Sequence, residues 1–112
     1  MSRLPYYAAA KWGVVGFTKS IAAEAGPDKV RCNAILPGIV EGERIERVIA
    51  AKAKSLGVSH EEFRVRFLET TSLRSTVTAQ NIADMALFLC TQAGSRITGQ
   101  AISVDADVRY LI

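Results

Sequence analysis

Cysteine is scarce in this chain. Cys32 and Cys90 are the only two among 112 residues, and they fall in unrelated segments that both read as buried. No disulfide framework can be built from them, so they are expected to be free thiols in a reducing compartment, which makes the cytoplasm the expected location. Histidine is scarcer still: His60 stands alone, and no cluster with metal-ligand spacing exists. No apolar run approaches the roughly 20 residues needed to span a bilayer. Met1-Ser2-Arg3-Leu4-Pro5 lacks a hydrophobic signal core. Positive charge is in slight excess, 14 Lys and Arg against 11 Asp and Glu, a net +3. Those residues (Lys19, Arg31, Arg47, Lys52, Lys54, Arg64, Arg66, Arg74, Arg96) are scattered, the pattern of solvated helix faces rather than of a nucleic-acid footprint. Neither membrane nor nucleic acid is therefore an expected partner.

What is present is a globular balance, 49% apolar and 22% charged, in a length that allows at most one domain. Residues 7–25 read as a helix, preceded by Pro5 and stopped by Gly26-Pro27. Its apolar positions (Ala8, Ala9, Trp12, Val14, Val15, Phe17, Ile21, Ala22, Ala23) run most of the way round. Such a helix is buried on more than one face, with a sheet on one side and a neighbouring subunit on the other. Residues 30–36 read as a strand closed by Pro37-Gly38, followed by a loop through Glu43 and a helix over 44–56. Ser59-His60-Glu61-Glu62 looks like the cap of a short helix carrying Phe63, Phe67 and Leu68. Thr78 with Asn81 opens another, with Ile82, Met85, Ala86, Leu87 and Leu89 inward, stopping near Ala93-Gly94. Residues 100–105 read as a second strand. Strands joined through helices are parallel and need cover on both faces. Two strands alone make a marginal sheet.

The chemistry begins at Tyr7-Ala8-Ala9-Ala10-Lys11. Residues four apart share one helix face. A phenol, with an ordinary pKa of roughly 10, needs help to exchange protons at neutral pH. An adjacent ammonium and the positive end of a helix dipole both favour the phenolate. By itself the spacing also fits a tyrosine capping a core helix beside a lysine that snorkels to solvent. Further along, Asn33 and Pro37-Gly38 lie at a strand end, and Ile97-Thr98-Gly99-Gln100 leads to Val104-Asp105.

Taken in this order, these segments resemble the short-chain dehydrogenase/reductase family, over essentially the whole chain but over less than half of a typical member. The resemblance implies an α/β fold: the C-terminal portion of a Rossmann-like doubly wound parallel sheet, with about two strands and three to four helices. It implies an NAD- or NADP-dependent oxidoreductase acting on a small alcohol or ketone, nearest the 3-oxoacyl reductase-like branch. Tyr7 would be the general acid/base, with Lys11 lowering its pKa and holding the nicotinamide ribose. Pro37, Gly38, Ile39 and Val40 would form the turn that holds the nicotinamide. It also implies a homo-oligomer, dimer or tetramer, built through helix 7–25.

The chain departs from the family pattern at several places. Gly42 stands five residues after Pro37, where the family often has a threonine. Asp105-Ala106-Asp107 replaces the usual Asp-Gly-Gly, so that turn must differ. Residues 41–72 correspond to a substrate-side lid, in which Glu41, Glu43 and Arg44 are substrate contacts or solvated loop charges; His60 is expected to be neither base nor ligand. The glycine-rich dinucleotide turn is not found: Gly13 and Gly16 lie inside the first helix. The family's serine would fall before Met1, and Ser2 is too near Tyr7 to replace it. The expectation is thus a fragment, inactive by itself. Two other readings remain: a relative with non-redox chemistry, and a non-catalytic interaction module using helix 7–25.

Overall fold

A computed structural model of the chain describes residues 4–109. Six regular elements follow in order: α1 (Leu4–Ala25), β1 (Ala34–Pro37), α2 (Glu43–Leu56), α3 (His60–Leu68), α4 (Ala79–Cys90) and β2 (Ala101–Val104), with 3-10 turns at Gly26–Asp28 and Gln92–Gly94. β1 and β2 pair in parallel, with Ala34 opposite Ala101 and Pro37 opposite Val104. The pairing extends past both ends, through Gly99 N–H to Cys32 O at 2.7 Å and Gly38 N–H to Val104 O at 3.1 Å.

Helices cover the two faces of this small sheet, the arrangement a parallel pair requires. Leu36, Ala101 and Ser103 share a cavity wall with Lys11, Trp12 and Val15 of α1. Ile35, on the other face, shares one with Ala86 and Leu89 of α4. The molecule is elongated. Its radius of gyration is 16.9 Å, against about 13 Å for a compact domain of this length. Its apolar core is correspondingly thin: Ala22, Ala34, Ile39, Ile49, Ala53, Val77, Leu89 and Val108 are the buried hydrophobic residues described.

Several element boundaries and orientations differ from the sequence-based expectation. The first helix is already present at Leu4, ahead of the expected residue 7, so Pro5 lies within its described extent. The first strand begins at Ala34 instead of residue 30 because side chains take up the preceding backbone. Thr98 Oγ1 accepts from Cys32 N–H at 3.1 Å. Val30 N–H instead returns to Ala25 O at the end of α1. The second strand is shorter at both ends, Ala101–Val104. Helix α4 ends at Cys90, and the chain reaches Gly94 through the 3-10 turn. Of its five expected inward residues, Leu89 is buried and Ile82 and Met85 are half-buried, while Ala86 and Leu87 are exposed. A two-stranded sheet is too narrow to cover the whole apolar face of the helix. Cys90 is exposed and Cys32 half-buried, so neither thiol is deep in the core.

Local chemistry sets the helix starts elsewhere. Ser59 Oγ accepts from Glu62 N–H at 3.1 Å, and Thr78 with Asn81 forms a reciprocal capping box at α4. Asn33 is structural: its Nδ2 donates to Ile97 O at 2.9 Å and its Oδ1 accepts from Gln100 N–H at 3.1 Å. Arg31 reaches the C-terminal end of α4, donating to Leu89 O at 2.7 Å, where a cation is favoured by the helix dipole.

The turn after β2 uses two left-handed residues that are not glycine, Ala106 (φ 55°) and Asp107 (φ 57°). Asp tolerates that region through local hydrogen bonding. Its N–H donates to Asp105 Oδ1 at 2.9 Å, and its carboxylate accepts from Ser72 Oγ. Alanine has no such compensation. The substitution Ala106→Gly is therefore expected to stabilise the chain by about 1 kcal/mol. Urea unfolding monitored by circular dichroism checks this, and an unchanged midpoint would contradict the strain.

Candidate functional site

The helix α1 carries Tyr7 in its first turns and Lys11 one turn on. Tyr7 is 41% exposed, and the Lys11 ammonium lies over its ring, 5.1 Å from the centroid. That contact is a cation–π arrangement and keeps the positive charge beside the phenol. The helix is held against the sheet by its inward residues, Thr18 and Ala22 buried, with Val15 and Ile21 half-buried. Lys19 Nζ adds a tie to the loop before β2, donating to Gly99 O at 2.9 Å.

The turn at 37–40 is fixed from three sides. Gly38 donates to Val104 O at the end of the ladder. A Cβ on Gly38 would lie 2.6 Å from both Cα and Cβ of Asp105, closer than real atoms approach. Ile39 O accepts from Val77 N–H at 2.8 Å, and Val77 O accepts from Glu41 N–H at 2.8 Å. The backbone of the turn is thus clamped between β2 and the segment leading into α4.

These two pieces meet in one cavity of about 490 Å³. Its wall contains Tyr7 and Lys11 from α1 and Pro37, Gly38, Ile39 and Val40 from the turn. All six residues singled out from the sequence are therefore brought together. The remaining wall comes from the lid segment: Arg44, Ile45 and Val48 of α2, and Phe67 of α3. Arg44 was one of the lid charges noted in the sequence. Val48 fell within the helix read over 44–56 and Phe67 within the short helix after Ser59, and nothing in their spacing marked them as cavity wall. A smaller cavity of about 320 Å³ lies on the other side of Lys11, between α1 and the sheet.

Of the other candidate charges, Glu41 and His60 are engaged away from the cavity, and Glu43 is exposed and does not line it. Arg64 on α3 bonds Glu41 at 3.0 Å and also Glu46 on α2. His60 Nε2 lies 3.2 Å from Glu46 Oε2. This cluster, with Phe63 and Phe67 stacked at 5.9 Å, ties α2 to α3 and anchors the chain just after the turn. Gly42 caps α2 with φ 149°, a conformation open essentially to glycine alone. A threonine hydroxyl is absent there, and the backbone is shaped accordingly. Ser2 lies outside the described residues.

A nicotinamide cofactor fits this set of residues. The absent side chain of Gly38 makes room for Asp105 and so fixes the turn, and the cavity that the turn lines also carries a phenol and an ammonium. A family profile described as enoyl-(acyl carrier protein) reductase matches residues 1–107. The chain belongs to the short-chain dehydrogenase/reductase family. It is 35% identical over 108 residues to a probable galactose dehydrogenase of Rhizobium meliloti, covering 96% of this chain and 39% of that protein. To a 3-oxoacyl-[acyl-carrier-protein] reductase of Chlamydia pneumoniae it is 32% identical over 104 residues, 93% of this chain and 38% of the relative. Among solved structures, the actinorhodin polyketide ketoreductase with NADPH superposes with a TM-score of 0.78 at 31% identity, over 88% of this chain and 38% of that one. The chain thus spans about two fifths of the length of the relatives it matches. The Rossmann-type α/β architecture expected from the sequence is the family's own.

Two substitutions probe the turn. Gly38→Ala is expected to lower stability by about 1–3 kcal/mol, because the added methyl must displace backbone. Gly42→Thr is expected to cost about 1–3 kcal/mol through backbone strain, although open space surrounds the position. Chemical denaturation measures both. A neutral result for Gly42→Thr would show that the backbone there relaxes freely.

Proposed function

We propose that residues 1–112 form the proton-transfer and nicotinamide-facing part of an NAD(P)-dependent oxidoreductase interconverting a secondary alcohol and a ketone. The supporting observation is the single cavity that collects Tyr7, Lys11 and the turn 37–40 from sequence positions about thirty residues apart. Bound NAD(P), through its nicotinamide, supplies or accepts the hydride at the substrate carbon. Tyr7 gives its phenolic proton to the carbonyl oxygen during reduction and takes it back from the hydroxyl during oxidation. Lys11, over the ring, offers positive charge where negative charge develops on the tyrosine oxygen, and it would hold the nicotinamide ribose. Pro37, Gly38, Ile39 and Val40 would hold the nicotinamide, with Gly42 leaving that contact to backbone.

The substrate side falls to α2 and α3, whose Ile45, Val48 and Phe67 make an apolar wall. The outer face of α1, where Tyr6 and Phe17 are 81% and 68% exposed, is the surface we assign to a second subunit in a homo-oligomer. Two free thiols suit a reducing, cytoplasmic setting. Among the described residues no helix is long and apolar enough to cross a membrane.

A graft tests the assignment. Residues 1–112 replace the corresponding C-terminal part of a 3-oxoacyl reductase, and nicotinamide oxidation is followed with a ketone substrate. Tyr7→Phe is expected to lower kcat by about 10²–10⁴-fold, the usual contribution of a general acid, with the fold retained by circular dichroism. A Tyr7→Phe graft as fast as the parent graft would refute the proposal. The 112-residue chain by itself is expected to show no cofactor-dependent hydride transfer, since positioning and electrostatic stabilisation both need the cofactor held in place.

A further inference from the structure

The charges on the wall of the 490 Å³ cavity are unbalanced: Lys11 and Arg44 line it, and no carboxylate does. The reason lies in the lid. Glu41, three residues before Arg44, is bonded to Arg64, as is Glu46, which His60 also meets. Glu43 is adjacent to Arg44 in a helix, and neighbours in sequence do not face each other there. Three and four residues further along α2 stand Arg47 and Val48. Among the described residues Arg44 consequently has no acidic partner, in contrast to Arg64 and Arg66. Arg44 is exposed and lines a largely apolar cavity, and a guanidinium is suited to planar anions, which it binds in a two-pronged fashion.

We infer that Arg44 is a specificity-determining residue that binds a carboxylate on the substrate, with Val48 and Phe67 taking the adjoining hydrocarbon. This rests on the oxidoreductase reading above and names its substrate class as an oxo acid or hydroxy acid of short alkyl chain.

The test is equilibrium binding to the 112-residue chain, followed by the Arg44 side-chain Nε–Hε resonance and the amides of Gly38, Ile39 and Val40. Hexanoate and hexanamide serve as probes, because they share size and hydrocarbon and differ in charge. Hexanoate is expected to bind about tenfold more tightly. Arg44→Gln is expected to abolish that preference, and Arg47→Gln, an equal loss of charge on the same helix outside the cavity, to leave it. Equal binding of the two probes, or equal losses in both variants, overturns the inference. Inorganic pyrophosphate separates substrate from cofactor: Arg44-dependent binding of pyrophosphate without a preference for hexanoate assigns Arg44 to cofactor phosphates and overturns it too. In the grafted reductase, Arg44→Gln is expected to raise KM about tenfold for a 3-oxo acid and leave KM for a neutral ketone unchanged. An unchanged ratio of the two overturns it there. Tyr7→Phe separates the two readings. If hydride transfer proves independent of Tyr7 while the hexanoate preference persists, the proton-transfer reading of Tyr7 falls and the anion site stands.

Discussion

The parallel pairing of β1 with β2 is the constraint on which the rest of the site depends. The strands are four residues each and are separated by more than sixty residues. Their ladder nevertheless runs on into Gly38, so the hydrogen bond that ends the sheet is also the one that begins the turn. Asp105 then occupies the space a side chain on residue 38 would need. A parallel pair of this length is weak alone. Here it is reinforced at its lower end by side chains (Asn33, Thr98, Arg31) and at its upper end by the close contact of Gly38 with Asp105. The position of the turn relative to Tyr7 and Lys11 follows from those two fastenings, since α1 is held to the same sheet.

The same pairing leaves the outer edges of both strands without a partner among the described strands, that of β1 included. Ala34 and Gly38 direct their N–H groups to β2, and alternation along a parallel strand turns Ile35 the other way. Among the described strands nothing pairs with that edge, which is a ready template for another strand. Helix α1 shows a matching incompleteness, with a buried stripe at Thr18 and Ala22 and large apolar side chains on the outside. A chain spanning about two fifths of its relatives' length thus combines unpaired strand edges with large exposed apolar side chains in an elongated molecule.

Local signals made some of this legible in the sequence and left the rest hidden. The caps at Ser59 and at Thr78 with Asn81 are decided by residues within three positions, so the sequence carries them whole. Helix and strand order is likewise set by period and by Gly and Pro punctuation. The true length of the first strand is not, because Cys32 is diverted by Thr98, sixty-six residues away. The exposure of Leu87 depends on how many strands lie beneath α4, which its own periodicity does not encode. Tyr7, Lys11 and residues 37–40 were legible as separate motifs. Their meeting in one cavity was not, and neither was the contribution of Phe67. The Arg64 cluster escaped altogether, since its partners lie eighteen and twenty-three residues off on other elements.

That cluster shapes the site more than its strength suggests. Partly exposed ion pairs contribute little each, roughly 0–1 kcal/mol, so Arg64 does not hold the fold together by energy. Its effect is on geometry and charge. By bonding Glu41 just beyond the turn and Glu46 on α2, it fixes where α2 leaves the turn and engages both carboxylates. Gly42, between them, permits the sharp entry into the helix that places Arg44, Ile45 and Val48 on the cavity wall. The ion-pair cluster between α2 and α3 thus engages Glu41 and Glu46 beside a cavity wall on which Lys11 and Arg44 stand without a carboxylate.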